Sequence, residues 1–343
     1  MRLKPHERKN VRHTHFVHVF VRFSMLQYRA QTFKQVRYCL NPPYPPIALI
    51  IPALDGQVAP LLASVRRQTL QPTEIAVVEG VRPNGKARNA GVAQTSAPIL
   101  VFVDDDAVLG DPHVIANLVA PLLADSSIGA TGAAKLLPPN APLFQRWVAR
   151  EVARIEHPVV HAPLETNPDP PSFYSEVTTT CCAMRREVFT QAGGFDETLL
   201  RGVDTEFFVR VRRARVQGRG VRVKGPQAEE QAAHYRFVLV PDTWAYHPAP
   251  ATLRALMRKQ FFYGIGAAQE VRRDPARARG RFFYTPLHAL AFLVFRTLII
   301  VPNVFLPYSF AAPSWRPGFK PLKALASYAS ALGYAWGWYR ANS

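Results

Sequence analysis

The sequence predicts an α/β fold in which helices cover both faces of a central, doubly wound sheet. Three short apolar runs support this prediction, and they lie at Ile47–Ile51, Glu74–Glu79 and Ile99–Val103. Segments with the apolar spacing of helices separate them, and such alternation is typical of α/β layers. The third run has five consecutive apolar residues, as in strands that are buried on both faces.

The connecting segments justify the helices in order. After the first strand, Val58, Leu61, Leu62 and Val65 recur at helical spacing. Between the second and third strands, Lys86–Ala93 is the next predicted helix. In this arrangement the carboxyl ends of the three strands meet at one edge of the sheet, where such folds bind ligands.

Three consecutive carboxylates, Asp104, Asp105 and Asp106, directly follow the third strand. They repel one another, whereas a divalent cation with hard oxygen ligands would neutralise them and bridge them to a diphosphate. Glu79 closes the second strand and is expected at the same edge. The alternative is a solvated acidic turn in which Asp106 caps a helix from Val108 onward.

Further motifs occur in a fixed order along the chain. They are Ile50–Ala53, Lys86–Gly91, Val103–Asp106, Cys182–Phe189, Gly193–Glu197, Gly202–Phe207, His247 and Arg258–Gly264. Over Ile47 to Gly266 this ordered set resembles family 2 glycosyltransferases with the GT-A fold. The resemblance implies a Rossmann-like mixed sheet flanked by helices. It also implies inverting, metal-dependent transfer of a sugar from a nucleotide diphosphate sugar to an acceptor hydroxyl, in cell-envelope glycan or glycolipid synthesis.

For the donor, the resemblance implies that Asp104 lies near the ribose and that Asp106 binds Mg²⁺ or Mn²⁺ on the diphosphate. Asp104 and His247 complete the implied metal ligands, with a purely structural role as the alternative for His247. The implied nucleotide-sugar contacts are Pro52, Ala53, Glu79, Lys86, Asp104 and Asp105. A UDP-sugar is favoured, although the family more often has Asp at the position of Glu79, and the loop before Lys86 lacks the usual Asp-Gly-Ser.

For the acceptor, the resemblance implies that Asp204 is the general base, with Glu206 and Cys182 as neighbours in the acceptor site. A carboxylate in this position could instead simply stabilise a helix N-terminus. Val203 replaces the Glu that usually precedes the base, and the absence of a Gln-x-x-Arg-Trp motif argues against processive polymerisation. Saccharide, lipid-linked and small-molecule acceptors all remain open.

Length and charge suggest three regions. The chain has 343 residues, 48% of them apolar, and a formal net charge of +18. Residues 1–46 are predicted to be a disordered basic tail with a Pro-rich linker. Residues 47–266 form the predicted catalytic domain, divided into a nucleotide-sugar half (47–110) and an acceptor half (111–266). Residues 267–343 form a basic, amphipathic region predicted to associate with membranes.

The membrane prediction rests on the C-terminal third. Two apolar runs, Leu287–Phe295 and Thr297–Phe310, are separated by Arg296, and the second is broken by Pro302 and Pro307. They are poor membrane spans, but with basic neighbours and an aromatic amphipathic helix from Leu322 they suit an anionic interface. We therefore expect peripheral binding to the cytoplasmic face of the cell (inner) membrane. The alternative is that both segments pack on the catalytic domain as ordinary core.

Two other function classes compete with the glycosyltransferase. A nucleotidyltransferase also places an Asp pair beyond a strand, but the Gly-rich, Lys-bearing signature of such enzymes is absent after Ile51. A basic nucleic-acid-binding protein would fit the net charge. The basic residues, however, cluster in the tail and beside apolar segments without a binding motif, so no nucleic-acid partner is expected.

Overall fold

The computed structural model describes residues 44–168, 176–214, 234–274, 285–303 and 320–340. All of them belong to one structural unit, Tyr44–Ser343. Residues 1–43, and with them nearly all of the predicted tail and linker, lie outside the described residues.

The central sheet is mixed. Its strands are β1 (Ile47–Ala53), β2 (Glu74–Glu79), β3 (Ile99–Val103), β4 (Val108–Leu109), β5 (Ile128–Leu136), β6 (Leu164–Thr166), β7 (Cys181–Arg185) and β8 (Arg236–Tyr246). They lie in the order β2-β1-β3-β7-β5-β8-β4, and β6 also pairs with β8. β1 is parallel to β2 and β3, whereas β7 is antiparallel to both β3 and β5. The predicted Rossmann-like mixed sheet is confirmed.

Helices cover both faces of this sheet. They are α1 (Ala59–Val65), α2 (Asn84–Ala93), α3 (Val114–Ala124), α4 (Leu143–Glu151), α5 (Arg186–Gln191), α6 (Val203–Arg213), α7 (Leu253–Arg273), α8 (Pro286–Asn303) and α9 (Pro321–Arg340). Successive β1 residues point to opposite faces: Leu49 joins the core with α1 and α3, and Ile50 joins the core with α2, α5 and α6. β3 is buried throughout, as predicted. Asp106 does not cap a helix from Val108, because β4 begins there and α3 begins only at Val114.

Helices α7 and α9 pack with their backbones in contact. A Cβ atom added to Gly333 of α9 would lie 1.9 Å from the Phe261 carbonyl oxygen of α7. Likewise, a Cβ atom on Gly264 of α7 would lie 2.0 Å from the Ser330 carbonyl oxygen of α9. The two glycines therefore set the distance between these helices.

A buried carboxylate attaches the beginning of α9 to α4. Oε2 of Glu151 accepts hydrogen bonds from the backbone N–H groups of Leu322 (2.7 Å) and Lys323 (3.2 Å), and its Oε1 accepts from the Trp147 indole. A negative charge is favourable at a helix N-terminus, where backbone N–H groups have no partner within the helix. The C-terminal helices are thereby joined to the part of the chain that follows β5.

Helix α8 packs on α9 through Ala289, but much of its apolar surface is exposed. The exposed side chains are Leu287, Leu290, Val294, Phe295 and Leu298. No helix within the described ranges combines the length and apolarity that crossing a membrane requires.

Candidate active site

The carboxyl ends of β1, β2 and β3 meet at one edge, and the structure brings the predicted donor-side residues together there. Ala53, at the end of β1 after the buried Pro52, pairs in register with Glu79 at the end of β2. The Leu54 N–H donates to the Asp105 carboxylate at 3.0 Å, which joins the loop after β1 to the loop after β3. Glu79 is exposed at this edge.

Asp104 is held by a buried arginine that sequence reasoning did not single out. Nη2 of Arg88, on α2, donates to Asp104 Oδ1 at 2.8 Å, and the guanidinium stacks on the Phe195 ring at 5.6 Å. Burial opposes ionisation of Asp104, yet the charge of Arg88 lowers its pKa below the usual value. Arg88 lies in the Lys86–Gly91 motif, so the sequence did mark the segment that contains this arginine. The predicted Lys86 itself is exposed on the same helix.

His247 approaches the acidic cluster from the end of β8. Its Nε2 lies 3.3 Å from Asp106 Oδ1 and 4.0 Å from Asp104 Oδ2. Its backbone N–H donates to the Leu136 carbonyl oxygen at 2.8 Å, which fixes the chain where it leaves the sheet. Burial lowers the pKa of His247 to about 4, so its imidazole is neutral at neutral pH.

These side chains fit the chemistry of a divalent cation site. Partial removal from water, together with the charges of Asp104 and Asp105, raises the pKa of Asp106 to about 7. Crowded carboxylates of this kind are neutralised by a cation, and a neutral imidazole can act as a further ligand. Across the described ranges, no three His, Cys, Asp or Glu side chains form a metal site by themselves. Mg²⁺ sites commonly use one or two carboxylates and take the remaining ligands from substrate phosphates and water.

A pocket of about 580 Å³ lies next to this cluster, and Asp104, His247 and Asp204 all line it. Asp204 is in the first turn of α6, which Gly202 introduces with a φ of +78°, a conformation that favours glycine. The Asp204 carboxylate accepts a hydrogen bond from the Thr205 N–H at 2.9 Å.

The two predicted neighbours of Asp204 have contacts of their own. Glu206 forms a bidentate ion pair with Arg210 (2.6 and 2.8 Å), which also donates to the Gly194 carbonyl oxygen. Cys182 is fully buried on β7, and burial raises the pKa of its thiol. Neither Glu206 nor Cys182 is among the residues that line the pocket. Glu206 stabilises the loop before α6, and Cys182 packs in the core.

Hydrogen bonds also connect the loop before α6 to helix α2. Asn89, which follows Arg88 on α2, donates through Nδ2 to the Phe195 carbonyl oxygen (2.9 Å) and to Glu197 (2.9 Å). The Phe195 N–H in turn donates to Asn89 Oδ1 at 2.9 Å. Neighbouring residues of one helix therefore hold Asp104 on one side and the segment leading to Asp204 on the other.

Several charged pocket residues lie outside every motif named above, among them Lys135, Arg154 and Glu176. Lys135 extends from β5, and Arg154 is ion-paired with Glu176. They come from segments that converge only in three dimensions. Single charged residues in such segments give no sequence signal of a site.

The fold is similar to that of glycosyltransferases of known structure. The mannosyltransferase PcManGT from Pyrobaculum calidifontis, solved in complex with GDP-Man and Mn²⁺, matches with a TM-score of 0.52 and 15% identity, over 86% of this chain and 89% of that chain. Glucosyl-3-phosphoglycerate synthase from Mycobacterium tuberculosis matches with a TM-score of 0.41 and 17% identity, over 67% of this chain and 80% of that chain. A comparison with curated protein sequences gives no match.

The mixed sheet, with an acidic edge beside a pocket, is that of a glycosyltransferase of the GT-A type, a class that uses nucleotide sugars. The sequence matches the family described as "Glycosyltransferase like family 2" over residues 26–261, and the chain belongs to this family. Membership decides against the nucleotidyltransferase and the nucleic-acid-binding protein as alternatives.

Proposed function

We propose that this protein is an inverting, metal-dependent glycosyltransferase with Asp204 as its general base. One observation carries the proposal: Asp104 and His247, beside Asp106, line the same pocket as Asp204. The groups proposed to bind the donor diphosphate and the carboxylate proposed to accept the acceptor proton thus line one space. Sugar transfer between the two requires such an arrangement.

In the proposed reaction, Asp204 accepts the proton of the acceptor hydroxyl as the oxygen attacks the anomeric carbon. The new C–O bond forms while the bond from that carbon to the diphosphate oxygen breaks, and the electron pair leaves with the nucleoside diphosphate. Attack from the face opposite the leaving group inverts the anomeric configuration.

On the donor side, Asp104, Asp106 and His247 would hold Mg²⁺ or Mn²⁺, which when bound supplies positive charge to the leaving diphosphate. Arg88 keeps Asp104 ionised and oriented through its 2.8 Å contact. Glu79 and Asp105 stand at the edge where the nucleoside would lie, with Pro52 and Ala53 beneath it. A UDP-sugar is the favoured donor, with GDP-sugars next because PcManGT was solved with GDP-Man.

We further propose that the enzyme works at the cytoplasmic face of the cell membrane, on a saccharide or lipid-linked acceptor of the cell envelope. Support comes from the exposed apolar side chains of α8 and from Leu332 and Trp336 on α9. Apolar side chains and nearby Arg or Lys residues together favour an anionic lipid surface.

A donor-hydrolysis screen tests the function. Purified full-length protein is incubated with UDP-, GDP- and dTDP-sugars, with Mn²⁺, with Mg²⁺ or with excess chelator. We expect hydrolysis of one nucleotide class in the presence of a metal and none with chelator. Full activity in chelator would contradict the metal proposal, and no turnover of any nucleotide sugar, with or without candidate acceptors, would contradict the function.

A further inference from the structure

The pocket beside Asp204 is lined by five cationic side chains and by four carboxylates, which are Asp104, Glu176, Asp204 and Glu270. Its cationic side chains are Arg88, Lys135, Arg154, Arg201 and Lys259. Arg88 is paired with Asp104, and Arg154 with Glu176. In the part of the chain that the structure describes, neither Lys135 nor Lys259 forms an ion pair.

Hydrogen bonds hold Lys135 in place among these cationic side chains. Its backbone exchanges two hydrogen bonds with His157, at 3.1 and 2.8 Å, which ties β5 to the segment after α4. Its Nζ donates to the Arg154 carbonyl oxygen at 2.9 Å. An ammonium group has three donors, so two remain for another partner. Burial and the nearby charge of Lys259 lower the pKa of Lys135 to about 8, although the charges of Asp204 and Asp104 oppose this shift.

Arg154 is held next to Lys135 in an unusual backbone conformation. Its φ is +67°, a region that residues other than glycine rarely adopt. The guanidinium uses Nε and Nη2 to contact a single oxygen of Glu176, so the donors on Nη1 remain available. Strained residues of this kind persist where the surrounding structure fixes them, and they cluster at functional sites.

The same two cations line the pocket together with Asp204, the proposed base. The charge of Asp204 acts on both Lys135 and Arg154. A molecule that presents a hydroxyl to Asp204 therefore places its neighbouring group beside these cations. The Lys135 ammonium and the remaining donors of the Arg154 guanidinium suit a phosphate group, with its charge and several acceptor oxygens, better than a neutral sugar.

We propose that the acceptor carries a phosphate group and that Lys135 and Arg154 bind it beside Asp204. This inference rests on the proposed function and specifies the acceptor class of the same site. The phosphate could belong to a small soluble metabolite or to the head group of a lipid, and both present the same chemistry to these residues.

Calorimetric binding to the full-length protein in excess chelator tests the proposal, because binding to this subsite requires no metal and no transfer. The phosphate probes are glycerol 3-phosphate and octyl phosphate, and the matched neutral probes are glycerol and octyl glucoside. We expect each phosphate to bind at least about tenfold more tightly than its neutral counterpart. Tighter binding of octyl phosphate would identify a lipid source, and equal binding a soluble one.

Variants assign the binding to these residues. Lys135→Met should weaken phosphate binding at least about tenfold. Arg154→Gly combined with Glu176→Gln should do the same, since glycine keeps the left-handed conformation and the glutamine avoids an unpaired buried carboxylate. Arg67→Met, which removes one exposed charge on the surface after α1, should bind phosphate as the wild type does.

Three results would overturn the proposal: no binding of either phosphate, equal binding of phosphates and neutral probes, or unchanged binding in both pocket variants with thermal unfolding showing them folded. Failure of the proposed function is distinguishable, because the donor-hydrolysis screen uses neither the phosphate probes nor these variants.

Discussion

At the scale of single residues, the function proposed for Asp204 depends on the position of its carboxylate in the fold. Gly202 lets the chain turn into α6, so that Asp204 lies in the first turn of the helix and lines the pocket. Glu206, only two residues later, is neutralised by Arg210 and stabilises the preceding loop. The helical geometry thus separates two acids that look alike in the sequence.

Asp204→Asn should lower the rate of sugar transfer by about 10² or more, because the amide keeps the shape but cannot accept the acceptor proton. Donor affinity should change little. Steady-state kinetics with saturating donor measure the effect, and Asp242→Asn, at an exposed position, is the control. A variant that transfers sugar at the normal rate would show that the base lies elsewhere.

Asp106→Ala should abolish turnover together with metal-dependent binding of the nucleoside diphosphate. The substitution removes one of the carboxylates proposed to hold the cation, while its exposed position at the sheet edge leaves the core intact. Calorimetry with nucleoside diphosphate, with and without Mn²⁺, measures the binding. Retention of Mn²⁺-dependent binding would argue that Asp106 is not a ligand.

At the scale of secondary-structure elements, the sequence predicted what local patterns determine. The apolar runs of β1 to β3 and the helical spacing of α1 and α2 are local, so the acidic edge with Glu79 and Asp105 followed from them. The insertion of β7 between β3 and β5, which makes the sheet mixed, depends on pairing between distant segments. No local pattern of Cys181–Arg185 encodes that choice.

The contribution of α9 to the pocket was equally hidden in the sequence, whereas Lys259 and Tyr263 of α7 lie in the Arg258–Gly264 motif. Lys259 and Tyr263 of α7 and Ser330 of α9 line it, although α9 follows the last family motif by more than fifty residues. The sequence indicated an amphipathic helix here but not its partner. The apolar positions of this helix fit a membrane surface or a protein core equally well. The structure shows that one side of α9 packs on α7.

Gly333→Ala should destabilise the protein by about 1–3 kcal/mol, because its added methyl group would meet the backbone of α7 and push the two helices apart. Gly264→Ala should act in the same way from the other helix. Chemical denaturation measures the change in the free energy of unfolding. Leu332→Ala on the exposed side of α9 is the control, and equal stability of both glycine variants and wild type would refute the close contact.

At the scale of the whole molecule, the exposed surface of α8 allows a test of membrane association without removing any element. Leu287 and Leu298 are 76% and 67% exposed, so Leu287→Ser with Leu298→Ser should leave the fold unchanged. A leucine contributes about 1.5–3 kcal/mol on full burial. Binding to phosphatidylglycerol-containing vesicles should therefore weaken about tenfold or more in a sedimentation assay.

The matched control changes two leucine-sized side chains elsewhere on the surface. Leu123→Ser with Ile75→Ser alters positions that are each 47% exposed and lie on α3 and β2. Vesicle binding should stay as in the wild type. If wild-type protein does not sediment with these vesicles at all, the proposed membrane association is wrong.

The position of Asn89 has a consequence for how the proposed reaction divides the donor sugar between acceptor and water. Since α2 holds Asp104 through Arg88 and the segment before Asp204 through Asn89, a shift of α2 on donor binding would also move the base. While the proposed base is misplaced, it cannot activate a nearby water molecule. Once the base is in place, it can accept the proton of a bound acceptor. We expect Asn89→Ala to lower the ratio of sugar transferred to sugar released to water. Asn117→Ala, which removes a comparable side-chain bond to Thr243, should leave that partition unchanged.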